Sequence, residues 1–142
     1  MAFLRNQNVR HDNICPETIL LCNGKYKLNH PDLLHSTPDN FEKMRSSQNH
    51  HLSPEGIRAI GNKAMVDGSI SDIYSLGLTM LEACTLKTEQ NFYLPDGSAN
   101  KPLIQNKVLE ANKVYQASFV ELIIRMLSID HQKRVKMYDY MT

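Results

Sequence analysis

The sequence predicts a mainly α-helical domain with one short β-hairpin. Residues 71–86 and 118–127 each carry apolar side chains at the spacing of an amphipathic or buried helix. Residues 18–28 contain two short apolar runs around Asn23-Gly24, the pair that best adopts the positive φ angles of a type I′ hairpin turn. At 142 residues the chain can form one hydrophobic core but not two, so we predict a single domain.

Composition excludes several functional classes. Hydrophobic residues make up 42% and charged residues 22% of the chain, which is typical of soluble globular proteins. The net charge of +1 creates no large field, so we expect no nucleic-acid binding. No apolar run approaches the roughly 20 residues of a membrane helix, and we expect no membrane insertion.

The N-terminus and the cysteines indicate an intracellular protein. Residues 1–10 lack the apolar core of a secretory signal. Three cysteines, Cys15, Cys22 and Cys84, are an odd number in a domain of this size, and we expect them to be reduced thiols. The sequence does not rank cytoplasm, cytoskeleton, cilium or an organelle complex.

Two helices have clear sequence signatures. The first begins at Ser71 or Asp72, either of which can cap it, and reaches about Leu86; we expect it to be buried nearly all round. The second starts at the capping box Ser118–Glu121. A weaker helix is predicted at 101–113, and the start of another at 135–142.

The polar stretch from about Asn29 to Ser53 contains two prolines and is predicted to be a long loop. Loops of this length are uncommon in compact domains unless they are functional or mobile.

Residues 11–21 resemble the catalytic loop of eukaryotic protein kinases. The family pattern is His-Arg-Asp-Leu/Ile-Lys-Pro-Glu-Asn followed by Ile-Leu-Leu, and this chain has HDNICPETILL. The aspartate that accepts the substrate proton is replaced by Asn13, and the lysine by Cys15. The Mg²⁺-binding asparagine is replaced by Thr18, and the phosphate-binding arginine by Asp12. A one-residue insertion would place Asp12 at the aspartate position.

Residues 27–33 resemble the metal-binding segment of the same family, Lys-Leu-x-Asp-Phe-Gly-Leu. His30 stands in place of the metal-binding aspartate, with Pro31 and Asp32 after it. A neutral imidazole is a poor ligand for Mg²⁺, which prefers oxygen donors. The resemblance therefore implies no catalytic residues, no cofactor, and no binding of ATP or Mg²⁺.

The framework positions of the family are retained. Glu55, in Ser53-Pro54-Glu55, matches the glutamate of Ala-Pro-Glu, which pairs with a distant buried arginine, and Arg134 matches that arginine. Asp72 matches the aspartate that accepts hydrogen bonds from the catalytic-loop backbone, and His11 the histidine that packs above it. Because losing one member of a buried ion pair costs about 3–5 kcal/mol, keeping both partners implies that the architecture is still used.

The resemblance covers about residues 9–141 and implies a truncated kinase-like C-lobe. Residues 1–28 correspond to a degenerate catalytic loop and hairpin, 29–53 to an activation-segment-like loop, and 54–142 to a helical core. The family's N-terminal lobe has no counterpart in the chain. The helix before the catalytic loop is reduced at most to residues 1–9. We therefore expect apolar surface around Leu76, Met80 and Leu81 to be open and to bind a partner.

These observations predict a pseudokinase-like half-domain that is a structural subunit of a larger assembly, with other protein subunits as partners. The alternatives are a regulatory module that binds an active kinase or its substrate, a residual phosphotransferase, and a metal-binding module. The metal candidates are Cys15, Cys22, His30 and His35, with His50 and His51 as further candidates. Their spacings match no familiar zinc pattern, so we expect no metal site and interpret them as ordinary thiols and surface histidines.

Overall fold

The computed structural model describes residues 10–29, 51–62, 66–87 and 92–136. Within these ranges the protein is mainly α-helical, with one antiparallel hairpin. After a 3-10 turn at Pro16–Thr18, the elements are β1 (Ile19–Cys22), β2 (Lys25–Leu28), α1 (Pro54–Asn62), α2 (Gly68–Thr85), α3 (Lys101–Asn112) and α4 (Ala117–Met126).

The hairpin has the predicted tight turn. Cys22 pairs with Lys25, and the two turn residues have positive φ angles, 52° at Asn23 and 72° at Gly24. Positive φ at both positions defines the type I′ turn, whose twist matches that of the strands. The prediction from Asn23-Gly24 is confirmed.

Helix α2 is the central helix and starts earlier than predicted. Asp67 is its N-cap: the Asp67 carboxylate accepts from the amides of Ser69 at 3.0 Å and Ile70 at 3.4 Å. These bonds satisfy amides that have no partner within the helix. The prediction of Ser71 or Asp72 as the cap is wrong, because the helix already includes both residues.

The hydrophobic core lies between α2, α3 and α4. Its main cluster consists of Tyr74, Leu78, Leu81, Phe92, Ala111, Val120, Ile123 and Leu127. A Cβ at Gly77 would lie 3.0 Å from Leu127 Cδ2 and 3.0 Å from Met126 Cβ. The absence of a side chain at Gly77 therefore lets α2 approach the end of α4 closely.

Helix α4 does not use the predicted capping box. Its N-cap is Gln116, whose side chain makes no capping hydrogen bond. The amides of Phe119 and Val120 already bond to the Gln116 carbonyl, at 3.0 and 3.2 Å. Ser118 therefore lies inside the first turn, and the prediction that it caps the helix is wrong.

Helix α1 lies at the start of the predicted helical core, but it was not predicted as a separate helix. The Ser53 hydroxyl accepts from the Gly56 amide at 3.0 Å, and Pro54 is the first helical residue. Serine at the cap followed by proline is a typical helix start, so the signal was present in the sequence.

Helix α3 matches its predicted range. Its buried Lys107 forms hydrogen bonds with the C-terminal end of α2. Lys107 Nζ donates to Thr85 Oγ1 and to the Lys87 carbonyl, both at 3.0 Å. These acceptors lie at the C-terminal end of α2, where a positive charge is stabilised by the helix dipole.

Most of the predicted long loop, residues 30–50, lies outside the described residues. So does most of the predicted last helix: only Val135 and Lys136 are described, and they are not helical. No helix in the described ranges has the length and hydrophobicity needed to cross a membrane.

Candidate functional site

The backbone of residues 11–12 is fixed to the central helix by Asp72. The His11 amide donates to Asp72 Oδ2 and the Asp12 amide to Asp72 Oδ1, each at 2.8 Å. Asp72 is only 4% exposed, and burial raises its pKa to about 7 against the opposing effect of the two amide hydrogen bonds. Both oxygens of this buried carboxyl therefore accept hydrogen bonds that hold the backbone of residues 11–12 in place.

His11 joins this loop to the end of the hairpin. Its Nε2 lies 2.8 Å from the carbonyl oxygen of Asn29, and the side chain is buried. His11 therefore positions the backbone just before His30, which lies outside the described residues.

Asp12 is held by a neighbouring arginine. Its φ is +59°, a left-handed conformation that is uncommon for residues other than glycine, asparagine and aspartate. Arg10 Nε lies 3.3 Å from Asp12 Oδ2, and Arg10 Nη1 donates to the Val66 carbonyl at 3.2 Å. The Asp12 carboxylate is thus paired within its own loop.

The three substituted positions Asn13, Cys15 and Thr18 are tied to one another. Thr18 Oγ1 lies 2.9 Å from the Asn13 carbonyl and 3.0 Å from the Cys15 carbonyl, and accepts from the Cys15 amide at 3.1 Å. Cys15 and Thr18 are buried. Burial also raises the pKa of the Cys15 thiol, which keeps it protonated and unreactive. This arrangement closes a turn, and none of the three side chains is a carboxylate base.

Glu55 and Arg134 form the expected ion pair. Arg134 Nη1 lies 2.5 Å from Glu55 Oε1, and Nη2 lies 3.1 Å from Oε2. Burial alone would raise the pKa of Glu55, but the hydrogen bond and charge of Arg134 hold it below its usual value. The pair joins the start of α1 to the segment after α4.

A second buried pair was missed by sequence reasoning. His51 Nε2 lies 2.6 Å from Glu82 Oε2, and both side chains are buried. The His51 ring also meets the Phe92 ring edge-on, with centroids 5.5 Å apart. The interpretation of His51 as a surface histidine is wrong. The available signal was Glu82 itself, an acidic residue within an otherwise apolar helix predicted to be buried.

The predicted partner-binding residues divide into two groups. Leu76 and Met80 are half-buried and line a groove of about 160 Å³ between α2 and α4, with Ile73, Leu122, Met126, Val135 and Lys136. Leu81 is 0% exposed, because it faces the main core cluster together with Tyr74 and Leu78. The expectation that Leu81 is open is therefore wrong.

In the described part of the chain, no group of three or more His, Cys, Asp or Glu side chains is arranged to hold a metal ion. Of the metal candidates, His30, His35 and His50 lie outside that part.

Comparison with protein-family models identifies a family for the chain. The family model for protein tyrosine and serine/threonine kinases matches residues 1–142. The chain belongs to the protein kinase family. The fold class predicted for this kinase-family chain, a mainly α C-lobe-like domain with one short hairpin, is confirmed. No curated protein matches it.

Proposed function

We propose that this chain is a non-catalytic, pseudokinase-like half-domain that serves as a structural subunit of a larger protein assembly. The observation that carries the proposal is the contrast between two sets of positions. The framework residues Glu55, Arg134 and Asp72 keep their ion pair and hydrogen bonds. The positions that carry catalytic residues in the family are occupied by Asn13, Cys15 and Thr18, which bond to one another.

The loss of catalysis is supported by the chemistry of these side chains. An amide at Asn13 cannot accept the substrate proton as a carboxylate base does. Cys15 carries no positive charge with which to stabilise a transferring phosphate. Thr18 is directed into its own turn through its bonds to residues 13 and 15.

A structural role is supported by the groove beside Met80. Its wall is apolar except for Lys136, and it is formed by α2, α4 and residues 135–136 of the segment after α4. A cavity of about 150 Å³ accepts a ligand the size of benzene, so this groove can receive an apolar side chain from a partner. We propose that the partner subunit binds along this groove, which is called the Met80 groove below.

Absence of catalysis is tested with the full-length protein. We expect no Mg-ATP binding by calorimetry and no transfer of radiolabel from γ-labelled ATP to a peptide or to the protein. Asp12→Asn is the matched variant, because a one-residue insertion would place Asp12 at the position of the family's catalytic aspartate. Labelling by the wild type that is abolished in Asp12→Asn would overturn the proposal.

The structural role is tested by Met80→Glu, with Leu109→Glu as the control. Leu109 is 60% exposed on α3 and lies outside the groove. We expect Met80→Glu to lose the protein that co-purifies stoichiometrically, while Leu109→Glu retains it. If Met80→Glu fails to fold, Lys136→Glu at the exposed rim replaces it. Retention of the partner by the folded groove variant would contradict the assignment.

A further inference from the structure

The turn between β1 and β2 contains the single Asn-Gly pair of the sequence, Asn23-Gly24. Asparagine is a labile residue, because the backbone nitrogen of the next residue can attack its side-chain carbonyl carbon. Glycine in that next position leaves the approach unhindered, since it has no Cβ. Both turn residues are exposed, and a Cβ added at Gly24 would meet nothing within 4 Å. Water and the reacting atoms therefore have open access to the turn.

Neither reacting group of this turn is held by a hydrogen bond. Across the residues that the structure describes, nothing accepts from the Gly24 amide, and the Asn23 side chain makes no hydrogen bond. The strand pairing ends at Cys22 and Lys25, just outside the turn. The backbone nitrogen and the side-chain amide are thus available to react with each other.

The exposed pair Asp96-Gly97 shows the opposite situation. Asp96 Oδ1 accepts from the Ser98 amide at 2.9 Å and from the Ser98 hydroxyl at 2.6 Å. The Gly97 amide donates to the Leu94 carbonyl at 2.9 Å. An ionised carboxylate also resists attack by a nucleophile more than a neutral amide does. Hydrogen bonding and charge therefore protect Asp96, and neither protects Asn23.

The reaction requires the turn to open, and the ribbon permits this. The closed turn, with φ 52° at Asn23, restricts the backbone rotation that brings the Gly24 nitrogen to Asn23 Cγ. The two strands contact chiefly each other, and isolated two-stranded ribbons are marginally stable. Exposed segments of this kind open at little cost in free energy. The reactive arrangement is therefore accessible without unfolding of the helices.

We propose that Asn23 is a site of spontaneous deamidation in the folded protein, with water as the co-reactant. The Gly24 nitrogen bonds to Asn23 Cγ, the Cγ–Nδ2 bond breaks, and the side-chain nitrogen leaves as ammonia with the proton of the Gly24 amide. Water then opens the cyclic imide. Addition at Cγ leaves an aspartyl residue, and addition at the main-chain carbonyl carbon of residue 23 leaves an isoaspartyl residue. The inference is independent of the proposed structural role.

The isoaspartyl product alters the hairpin. Its main chain passes through the Cβ and Cγ atoms of residue 23, which adds one atom to the turn. A type I′ turn connects Cys22 and Lys25 through two ordinary residues, so the pairing beside the turn loses its register. Leu21 and Tyr26, which face each other across the ribbon, then lose their alignment. Both products also place a negative charge near Lys25.

The modification is tested by ageing the full-length folded protein at neutral pH and following position 23 by peptide mass spectrometry. Asn106 is the internal reference, because it is exposed but lies within α3. We expect position 23 to convert from amide to acid with a half-time within about tenfold of that in urea, because the ribbon opens readily. Asn106 should remain an amide. Equal loss at both positions, or loss at position 23 only in urea, would overturn the proposal.

Asn23→Gly is the matched control variant. Glycine adopts the positive φ of the turn but has no side-chain amide to react. A methyltransferase specific for isoaspartyl residues, supplied with labelled S-adenosylmethionine, should label the aged wild type and leave the aged variant unlabelled. Equal labelling of the two proteins would place the reaction elsewhere in the chain and refute the assignment.

The effect on the hairpin is measured by hydrogen–deuterium exchange of fresh and aged protein. We expect amides of β1 and β2 to exchange roughly tenfold faster after conversion, since the pairing beside the turn is lost. Amides in the middle of α2 should be unchanged, and aged Asn23→Gly should behave as the fresh variant does. Unchanged exchange of the hairpin after full conversion would show that the turn accommodates the longer linkage, against the proposed loss of register.

Discussion

The Arg134 guanidinium is satisfied at every donor. An arginine has five N–H donors, and Arg134 makes five hydrogen bonds, to Glu55, Ser128 and Ile70. It also lies over the Tyr74 ring, 5.0 Å from the centroid. This one side chain therefore joins α1, α2 and the segment after α4.

Arg134→Met is expected to destabilise the fold by about 3–5 kcal/mol, because it leaves Glu55 with a buried, uncompensated charge. Urea unfolding followed by circular dichroism measures the change. Adding Glu55→Gln to this variant should recover part of the loss. Lys133→Met, on the exposed neighbour, should change stability by less than about 0.5 kcal/mol. Equal effects at positions 133 and 134 would contradict a structural role for the pair.

Asp72 gives the fold an unusual pH dependence. Burial raises the pKa of Asp72 to about 7 in the folded protein, from an ordinary value of 3.8, so the folded state binds a proton more readily than the unfolded state. The contribution of this group is fully present below about pH 4 and is lost as pH rises to about 7. Glu55, whose pKa is lowered, acts in the opposite direction: its contribution is present above its unfolded pKa and is lost as pH falls.

Asp72→Asn tests this assignment. The amide loses one of the two acceptors for the backbone of residues 11–12, so we expect a loss of about 1–3 kcal/mol at neutral pH. The stability difference between wild type and variant should also change between pH 4 and 7, because the titrating group has been removed. Urea midpoints across this range provide the measurement. Parallel pH profiles would show that Asp72 does not titrate there.

Among the elements, α2 and α4 depend on a close approach. Gly77 lies where a Cβ would meet Leu127 and Met126 at 3.0 Å. Glycine is a poor helix former. Close packing therefore explains the glycine at position 77 better than helix propensity does.

Gly77→Ala is expected to destabilise the protein by about 1–3 kcal/mol through overpacking, although alanine improves helix propensity. Ala83→Gly, on the exposed side of the same helix, should cost about 1 kcal/mol through propensity alone. Denaturant unfolding of the two variants distinguishes packing from propensity. A Gly77→Ala variant more stable than the wild type would mean that the helices separate readily.

At the scale of the whole molecule, stability is concentrated in the helices. The main core cluster involves α2, α3, α4 and Phe92, whereas the hairpin strands contact chiefly each other. Isolated two-stranded ribbons are marginally stable, so the hairpin depends on its anchors at His11 and Thr18.

Amides of β1 and β2 are therefore expected to exchange with solvent roughly 100-fold faster than those in the middle of α2. Hydrogen–deuterium exchange with mass spectrometry measures both regions in one experiment, and α4 is an internal reference for slow exchange. Similar rates in the hairpin and α2 would show that the ribbon is part of the same cooperative unit.

Much of the local structure could be predicted because its causes are local. Asn23-Gly24 determines the turn, and apolar spacing locates α2 and α4. Helix starts were less predictable: several residues near each start can act as caps, and only the geometry selects Asp67 and Gln116. The start of α1 also has a local signal, a capping serine followed by proline at Ser53-Pro54.

By itself, the sequence determined the helical class, the hairpin turn, and the survival of Glu55 and Arg134 beside Asn13, Cys15 and Thr18. Only the tertiary structure decided that His51 meets Glu82, that Leu81 is buried, and that Leu86 is exposed in a left-handed conformation. The physical reason is distance along the chain. Turns and helices follow from neighbouring residues, whereas burial and ion pairing depend on which distant segments the folded chain brings together.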